Sequence, residues 1–168
     1  MKIFVDEDTG SGIGKALEAV GVDAWYVGPG RRSRIKSGTP DEEWIPEIAA
    51  DDRLIFSRNV QMLDSDSQRA LLIQHGAAIV YLPAHLKKLP MLALVLRKWT
   101  WLEFIYANEP RALAYHVTPG GTHVPEPLTN YVPRRRRAIR HEGEALALPS
   151  TVAQPPKWEQ LRLPPHED

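Results

Sequence analysis

The sequence predicts a three-layer α/β/α sandwich built on a mainly parallel sheet, followed by a proline-rich C-terminal tail. Short apolar segments rich in β-branched and aromatic residues alternate with segments of helical periodicity. The turns between these segments carry glycine, proline and acidic residues. Such an alternation of strands and helices is typical of parallel sheets, because each crossover between parallel neighbours needs a connection of helix length.

The first predicted elements are a strand, a helix and a second strand. Residues 2–5 are apolar and end at polar turn residues, which is the pattern of a buried strand. Apolar residues recur at helical spacing from Ile13 to Val20, and Gly21 follows as the glycine that ends the helix. Residues 22–27 form the second predicted strand, and the basic segment GPGRRSRIKSG follows it as a loop.

A second helix is predicted to begin within TPDEEWIPEIAADD. Thr39 is the expected N-cap, Pro40 suits the first helical position, and Glu42 completes a capping box with Thr39. Pro46 is expected to distort or shorten this helix, because proline lacks the backbone N–H and crowds the preceding turn. Residues 54–56 then form the third strand, which runs into SRNVQM.

The remaining elements complete the alternation. Residues 68–75 form a helix closed by Gly76, and residues 77–82 form the fourth strand. Beyond Pro90, the segment MLALVLRKWTWLEFIYANEP is expected to be one long helix whose apolar face packs on the core. The apolar positions of that face are Leu92, Val95, Leu96, Trp99, Leu102 and Tyr106. Residues 114–117 add one more strand.

Composition divides the chain into two parts. Residues 1–118 carry the predicted strands and helices and form the expected domain. Nine of the fifteen prolines lie from Pro119 onward, where apolar periodicity ends, and an arginine run occupies residues 134–137. We therefore expect residues 119–168 to form a largely disordered tail with both basic and acidic residues.

Charge and cysteine content exclude several classes of function. The chain has 21 basic and 21 acidic residues, so a basic field over the whole protein is absent and nucleic acid binding must come from local patches. It has no cysteine, which excludes disulfides, thiolate metal sites and a cysteine nucleophile. Because it also lacks a long apolar stretch and a signal-peptide pattern, a cytoplasmic location is expected.

Several familiar motifs fail on inspection. The segment GSGIGKA lacks the first glycine of a phosphate-binding Walker loop, since Thr9 stands there, and Ala16 follows Lys15 in place of a hydroxyl residue. Lys15 also stands where a dinucleotide-binding motif needs its third glycine. The six histidines show no paired spacing for a metal site, and there is no serine-hydrolase motif.

Acidic and polar residues follow two predicted strands and begin one predicted helix. The first group ends strand one, the second begins the second helix, and the third follows strand three; they are Asp6, Glu7 and Asp8, then Asp41, Glu42 and Glu43, then Asn59, Asp64 and Asp66. The carboxyl ends of parallel strands are where ligands bind in open α/β sheets. Carboxylates gathered there repel one another unless a divalent cation such as Mg²⁺ or Mn²⁺ holds them.

Each group also has a simpler interpretation. Asp41 and Glu42 suit a helix N-terminus, where negative charge is favoured. Glu43 suits the solvent face of that helix, and Asp64 and Asp66 suit a loop or a helix cap. The residues alone leave both interpretations open.

The order of these segments resembles that of the PIN-like nuclease superfamily, in particular small prokaryotic PIN-like proteins whose first strand ends in Asp-Glu. The matching stretches are FVDED, GTPDEEW, LIFSRNVQM and RALLIQHGAAIVYL, and the likeness covers about residues 1–106. The resemblance implies a compact α/β/α sandwich, an acid cluster that binds Mg²⁺ or Mn²⁺, and metal-dependent RNA cleavage. It further implies the toxin of a VapC-type toxin–antitoxin pair, with a cognate antitoxin as partner and a homodimer as a common assembly.

Carried over by position, the resemblance makes Asp6 the first metal ligand and Asp41 the acid of the helix start. Asn59 takes the third catalytic position, and Glu7, Asp8, Glu42 and Asp64 are candidate accessory residues. The family pattern after the third strand is Thr-Arg-Asp, whereas this chain has Ser57-Arg58-Asn59. Because an amide oxygen carries no charge, either Asp8, Asp64 or Asp66 compensates, the metal is held loosely, or catalysis is lost.

Basic residues flank the predicted site. Lys15, Arg58, Arg31 and Arg32 are candidate contacts for an RNA backbone, with solvated surface positions as the alternative. The leading hypothesis is therefore a metal-dependent endoribonuclease, and a non-catalytic PIN-like RNA- or protein-binding module is the alternative. A phosphorelay receiver is disfavoured, because it needs an aspartate phosphoacceptor where strand three runs into Ser57.

Overall fold

The computed structural model describes residues 1–30, 35–126, 128, 129 and 131. Its sheet has six strands in the order β2-β1-β3-β4-β5-β6. The strands are β1 (Lys2–Val5), β2 (Asp23–Tyr26), β3 (Leu54–Ser57), β4 (Ala78–Tyr81), β5 (Leu113–Val117) and β6 (His123–Pro125). All neighbouring pairs are parallel except β5 and β6. The predicted fold class, a layered α/β sandwich with a mainly parallel sheet, is confirmed.

Six helices cover the two faces of the sheet. They are α1 (Ser11–Ala19), α2 (Asp41–Ala50), α3 (Gln61–Asp64), α4 (Asp66–Gln74), α5 (Lys88–Arg97) and α6 (Trp99–Asn108). Buried residues of α1, α5 and α6 pack in one core cluster, and those of α2, α3 and α4 pack in the other. Alternation along β1 serves both, since Ile3 and Val5 enter the first core and Phe4 enters the second. No helix in the described part of the chain is long and apolar enough to span a bilayer.

The chain reverses its direction of travel across the sheet at β1. The connection through α1 places β2 on one side of β1, whereas the connection through α2 places β3 on the other. Helices therefore leave the carboxyl ends of β1 and β3 in different directions and open a crevice between them. In open α/β sheets this switch point is where ligands bind.

Two glycines of the segment GSGIGKA fix how α1 joins the sheet. Gly10 precedes the helix with a φ of 87°, a left-handed conformation that favours glycine. Gly14 lies against β2, and a β-carbon there would lie 2.6 Å from Tyr26 Cβ. The segment thus shapes a tight turn before α1 and a close contact between α1 and β2.

The predicted long helix beyond Pro90 is wrong, because the structure has two helices there. Helix α5 ends at Arg97 and α6 begins at Trp99, with Lys98 between them at φ −97° and ψ 9°. The buried positions shift accordingly: Val95 and Leu102 are buried as predicted, but Leu96 is 49% exposed. A bend at Lys98 lets both short helices lie on the same face of the sheet.

The predicted capping box at the start of α2 is also wrong. Pro40 is the N-cap residue, and the Thr39 hydroxyl donates to the Lys36 carbonyl oxygen at 2.9 Å. Pro46 lies inside α2, yet the helix continues to Ala50. The proline therefore does not shorten the helix at this position.

The sheet continues beyond residue 118, where the predicted domain ends. Strand β6 pairs antiparallel with β5, and Leu128 and Tyr131 are buried in the core on the α2 side of the sheet. These contacts extend the ordered fold past Pro119. Residues 132–168, which make up most of the predicted tail, lie outside the described residues.

A buried arginine joins three segments at the amino-terminal edge of the sheet. The Arg53 guanidinium donates to the Ile3 carbonyl oxygen at 3.2 Å, to the Asp23 carbonyl oxygen at 3.0 Å and to Asp51 Oδ2 at 2.6 Å. It also lies 3.5 Å from the centroid of the Trp25 ring. Arg53 therefore links β1 and β2 to the turn before β3, at the edge opposite the crevice.

Candidate functional site

An acidic pocket of about 140 Å³ occupies the crevice at the switch point. Its polar lining includes Asp6 and Asp8 after β1, Asp41 at the start of α2, and Asn59 after β3. Apolar side chains form the rest of the wall, among them Trp44 and Met62. Residues far apart in sequence thus meet at one place, as the arrangement of a parallel sheet requires.

Asp6 lies at the floor of the pocket and is 5% exposed. The chain turns sharply after β1, so the Thr9 amide donates to Asp6 Oδ1 at 2.8 Å. The Asp6 amide in turn donates to the Phe56 carbonyl oxygen of β3 at 3.1 Å. Burial raises the pKa of the Asp6 carboxyl to about 6, against the lowering effect of hydrogen bonds from Ser57 and Thr9.

Asp41 is half-buried and held in place by two side chains. Its Oδ1 accepts from Trp44 Nε1 at 2.9 Å, and its Oδ2 accepts from Gln68 Nε2 at 2.6 Å. Burial raises the pKa of Asp41, and the charges of Glu42 and Asp8 act in the same direction. Asp41 and Asp6 thus both carry raised pKa values inside one pocket.

Glu7 and Asp8 follow Asp6 but have different surroundings. Both Glu7 carboxylate oxygens are engaged by the next loop, one by the Ser37 hydroxyl and the other by the Gly38 amide at 2.9 Å. These hydrogen bonds lower the pKa of Glu7. Asp8 is exposed at the pocket, and its negative charge raises the pKa of both Asp6 and Asp41. Glu7 and Asp8 both line the pocket, and Asp8 is the one of the two whose charge acts on Asp6 and Asp41.

Asn59 lines the pocket while also serving the local backbone. Its side-chain Oδ1 accepts from the Gln61 backbone N–H at 3.2 Å, at the start of α3. Its backbone N–H donates to the Ser57 hydroxyl at 3.0 Å. The short helix α3 was absent from the sequence prediction, so this role of Asn59 was not foreseen. The asparagine fits a helix start as well as a polar pocket.

The other predicted site residues lie elsewhere or outside the described part. Glu42 is exposed on α2, and Asp64 accepts from the Tyr131 hydroxyl at 3.0 Å, away from the pocket lining. Lys15 is exposed on α1 and Arg58 is partly exposed after β3, neither of them in the lining. Arg31 and Arg32 lie outside the described residues.

Lys36, which belongs to the basic segment GPGRRSRIKSG, lines the pocket as an exposed cation. Two further residues of the site were missed by sequence reasoning. One is Ser57, whose buried hydroxyl bridges the Asp6 carboxyl and the Asn59 backbone N–H. The Tyr81 hydroxyl is buried with no hydrogen-bond partner among the described residues, and burial and the charge of Asp6 raise its pKa. Tyr81 is the last residue of β4 and pairs with Ser57 of β3, and its position at the carboxyl end of a predicted strand was its only sequence signal.

The donor chemistry of the pocket fits a hard divalent cation. The carboxylates of Asp6 and Asp41 have raised pKa values and no ion pair with a cation of the described residues, and oxygen donors are what Mg²⁺ and Mn²⁺ prefer. Among the described residues, no three His, Cys, Asp or Glu side chains form a ready-made metal cage. Mg²⁺ commonly binds through one or two carboxylates and keeps several of its waters. The carboxylates of Asp6 and Asp41 are therefore enough protein ligands of the type that this ion uses.

Comparison with protein families gives one match, to the PIN-like domain, over residues 1–84. Neither the curated proteins nor the solved structures yielded a match. The matched region contains β1 to β4 and every residue of the acidic pocket. PIN-like domains have a nuclease-type fold, generally use divalent metals and generally bind RNA. This chain belongs to the PIN-like domain family.

Proposed function

We propose that this protein is a metal-dependent endoribonuclease that hydrolyses RNA phosphodiesters. The observation that carries the proposal is the meeting of Asp6, Asp8, Asp41 and Asn59 around one pocket at the switch point of the sheet. Burying Asp6 in its charged form is unfavourable, as its raised pKa indicates, and a bound cation offsets that cost. Family membership supports the same chemistry.

In this proposal Asp6 and Asp41 hold the Mg²⁺ or Mn²⁺ ion. When bound, the cation supplies an activated water and neutralises negative charge on the phosphodiester. Trp44 and Gln68 keep the Asp41 carboxylate oriented, and Thr9 does the same for Asp6. Asp8 contributes the charge that Asn59 lacks, since its field reaches both ligands.

The proposed contacts to the RNA backbone are cationic side chains. Lys36 lines the pocket, Arg58 precedes the lining residue Asn59 in the chain, and Lys15 lies on α1 outside the lining. Each is proposed as a phosphate contact, with Arg31 and Arg32 of the preceding loop as further candidates. Glu7, Glu42 and Asp64 are proposed only as accessory acids.

The biological role that best matches this activity is the toxin of a toxin–antitoxin pair. A cognate antitoxin that covers the acidic pocket would silence the enzyme, and a homodimer is the proposed assembly. Expression without the partner is expected to arrest growth, whereas Asp6→Asn is expected to relieve the arrest. Growth that continues with soluble wild-type protein present would contradict the toxin role.

The activity is tested by incubating the purified protein with single-stranded RNA or transfer RNA and with Mg²⁺, Mn²⁺ or EDTA. Asp6→Asn and Asp41→Asn should each lose cleavage by about a hundredfold or more, since removing a group that stabilises developing charge costs that much. Asp66→Asn is the matched control, because Asp66 is exposed and pairs with Arg69 outside the pocket. A wild type inactive with both metals, or Asp6 and Asp41 variants as active as wild type, would refute the proposal.

The hydrogen bond of Asn59 favours a second candidate, a PIN-like module that binds RNA or protein without cleaving it. Asn59 Oδ1 already serves the Gln61 amide, and an amide adds no negative charge to the pocket. In this case Asn59→Asp should raise affinity for Mn²⁺ and produce cleavage that the wild type lacks. Full activity in the wild type would exclude this candidate.

A further inference from the structure

Two cationic side chains converge over the turn between β5 and β6. Gly121 in this turn is buried with a φ of 88°, and a β-carbon there would lie 2.9 Å from Lys98 Cε and 3.1 Å from Arg97 Nη2. Within the described residues neither cation has an acidic partner, and Arg97 donates only to the Pro119 carbonyl oxygen, at 3.5 Å. Like charges held together without a counter-ion form a place that attracts an anion.

A cluster of aromatic rings lies beside these cations. The Trp101 and His123 rings stack with centroids 4.2 Å apart and an interplanar angle of 19°. Tyr115 meets Trp101 edge-on at 5.3 Å, and all three residues are partly exposed. Burial and then the positive charge of Lys98 lower the pKa of His123, so the ring is neutral at physiological pH and lies near the ammonium group.

We propose that Arg97, Lys98, Trp101, Tyr115 and His123 form a second RNA-binding surface, called here the edge platform. Phosphates of a single strand contact the two cations, and a base packs against the neutral aromatic rings. Positive charge combined with part-exposed aromatic rings is how proteins hold single-stranded nucleic acid without reading its sequence. An acidic peptide would use the cations but has no need of the stacked rings.

The edge platform and the acidic pocket lie on opposite faces of the sheet, because Trp101 and Tyr115 pack on the α5 side whereas Trp44 and Met62 of the pocket belong to the core on the α2 side. His123 pairs with Val117, the last residue of β5, and therefore lies at the carboxyl end of that strand. From β1 to β6 there are four strand spacings, which is roughly 19 Å. A single strand that passes over the carboxyl edge of the sheet would contact both places, so the platform would hold RNA that extends beyond the pocket.

Binding is measured by fluorescence anisotropy with a labelled single-stranded oligoribonucleotide in EDTA, over a series of salt concentrations. The double variant Arg97→Ala, Lys98→Ala should bind about tenfold more weakly at low salt. The slope of log affinity against log salt should fall in magnitude by about 1.4, since each phosphate contact to a single strand contributes about 0.7. The charge-matched control is Lys2→Ala, Arg111→Ala.

The control removes the same charge from cations that already pair with Asp51 and Asp52. It should leave both affinity and slope close to the wild-type values. An unchanged affinity and slope in the Arg97, Lys98 variant would overturn the proposal. If that variant instead loses only binding to a poly-glutamate peptide, the surface takes a protein partner and the RNA proposal fails.

The aromatic part of the edge platform is tested with an abasic strand of the same length. The wild type should prefer the strand with bases by about tenfold, and Trp101→Leu should lose that preference while keeping its salt slope. Thermal unfolding verifies that the variant folds, and His123→Ala gives a second test should Trp101→Leu be unstable. Equal binding of both strands by the wild type would refute stacking. Because EDTA prevents cleavage, failure of the nuclease proposal would leave this result unaffected.

Discussion

Replacing Asp6 with asparagine should remove cleavage and stabilise the fold at the same time. The Asp6 carboxyl has an ordinary pKa of 3.8 and a pKa of about 6 in the folded protein, chiefly because it is buried. Since the folded state holds this proton more tightly than the unfolded state, the contribution of Asp6 to stability is most favourable below about pH 4 and is lost as the pH rises towards 6. The difference of about 2 pKa units corresponds to about 3 kcal/mol of stability lost at neutral pH.

Asparagine keeps the shape of the side chain and carries no charge to bury. Its amide oxygen can accept from the Thr9 amide as Asp6 Oδ1 does, so the turn after β1 should persist. We therefore expect Asp6→Asn to be more stable than wild type by up to about 3 kcal/mol at about pH 7, and nearly equal to it at about pH 4. Urea unfolding followed by circular dichroism at both pH values measures this difference.

Two further measurements make the reasoning refutable. Excess Mg²⁺ should stabilise the wild type by roughly 3 kcal/mol at a hundred times its dissociation constant, but should leave Asp6→Asn unchanged. The exposed Asp66→Asn variant should show neither the pH-dependent gain nor any change in the response to Mg²⁺. The reasoning would be refuted if Asp6→Asn were less stable than wild type at neutral pH, or if its increase in stability were the same at both pH values. Either result would show that burying the charged Asp6 carboxylate does not destabilise the fold.

Two other predictions concern packing and the opposite edge of the sheet. Gly14→Ala should lower the free energy of unfolding in urea by about 1–3 kcal/mol, because the new methyl group would overlap Tyr26. The control Gly12→Ala should leave that free energy unchanged or raise it, and equal effects of the two variants would contradict the packing argument. Arg53→Met should lower the free energy of unfolding by about 3 kcal/mol, because the Arg53 side chain is buried with its acidic partners. Lys2→Met should lower it by no more than about 1 kcal/mol, because Lys2 is part-exposed. A small loss in the Arg53 variant would show that the contacts of Arg53 are dispensable.

Local patterns were sufficient for the layered fold and for the places where acids gather. The apolar strand that ends at Asp6 and the helix that starts at Asp41 are visible in sequence, because each depends on neighbours along the chain. The switch point follows from strand order, which sequence patterning alone does not determine. The acids therefore could be named, but their meeting in one pocket with Asp8 could not be measured without the structure.

Other features depend on tertiary contacts that no local pattern encodes. Lys98 breaks a continuous helical pattern because two short helices cover the sheet, and nothing in its local sequence requires that bend. Strand β6 has only three residues and contains Pro125, so its alternation is too short to detect. Tyr81 looks like any buried tyrosine in a strand; only the structure reveals that its hydroxyl lies near acids and has no hydrogen-bond partner in the part of the chain that is described.

The position of β1 in the interior of the sheet also affects how the protein is made on the ribosome. This strand is synthesised first, yet the Asp6 amide and the Thr9 hydroxyl both rely on the Phe56 carbonyl oxygen, about fifty residues later. Nascent chains that stop before β3 therefore lack the floor of the acidic pocket. The pocket on which the proposed nuclease activity depends would thus be completed only after translation has passed the third strand.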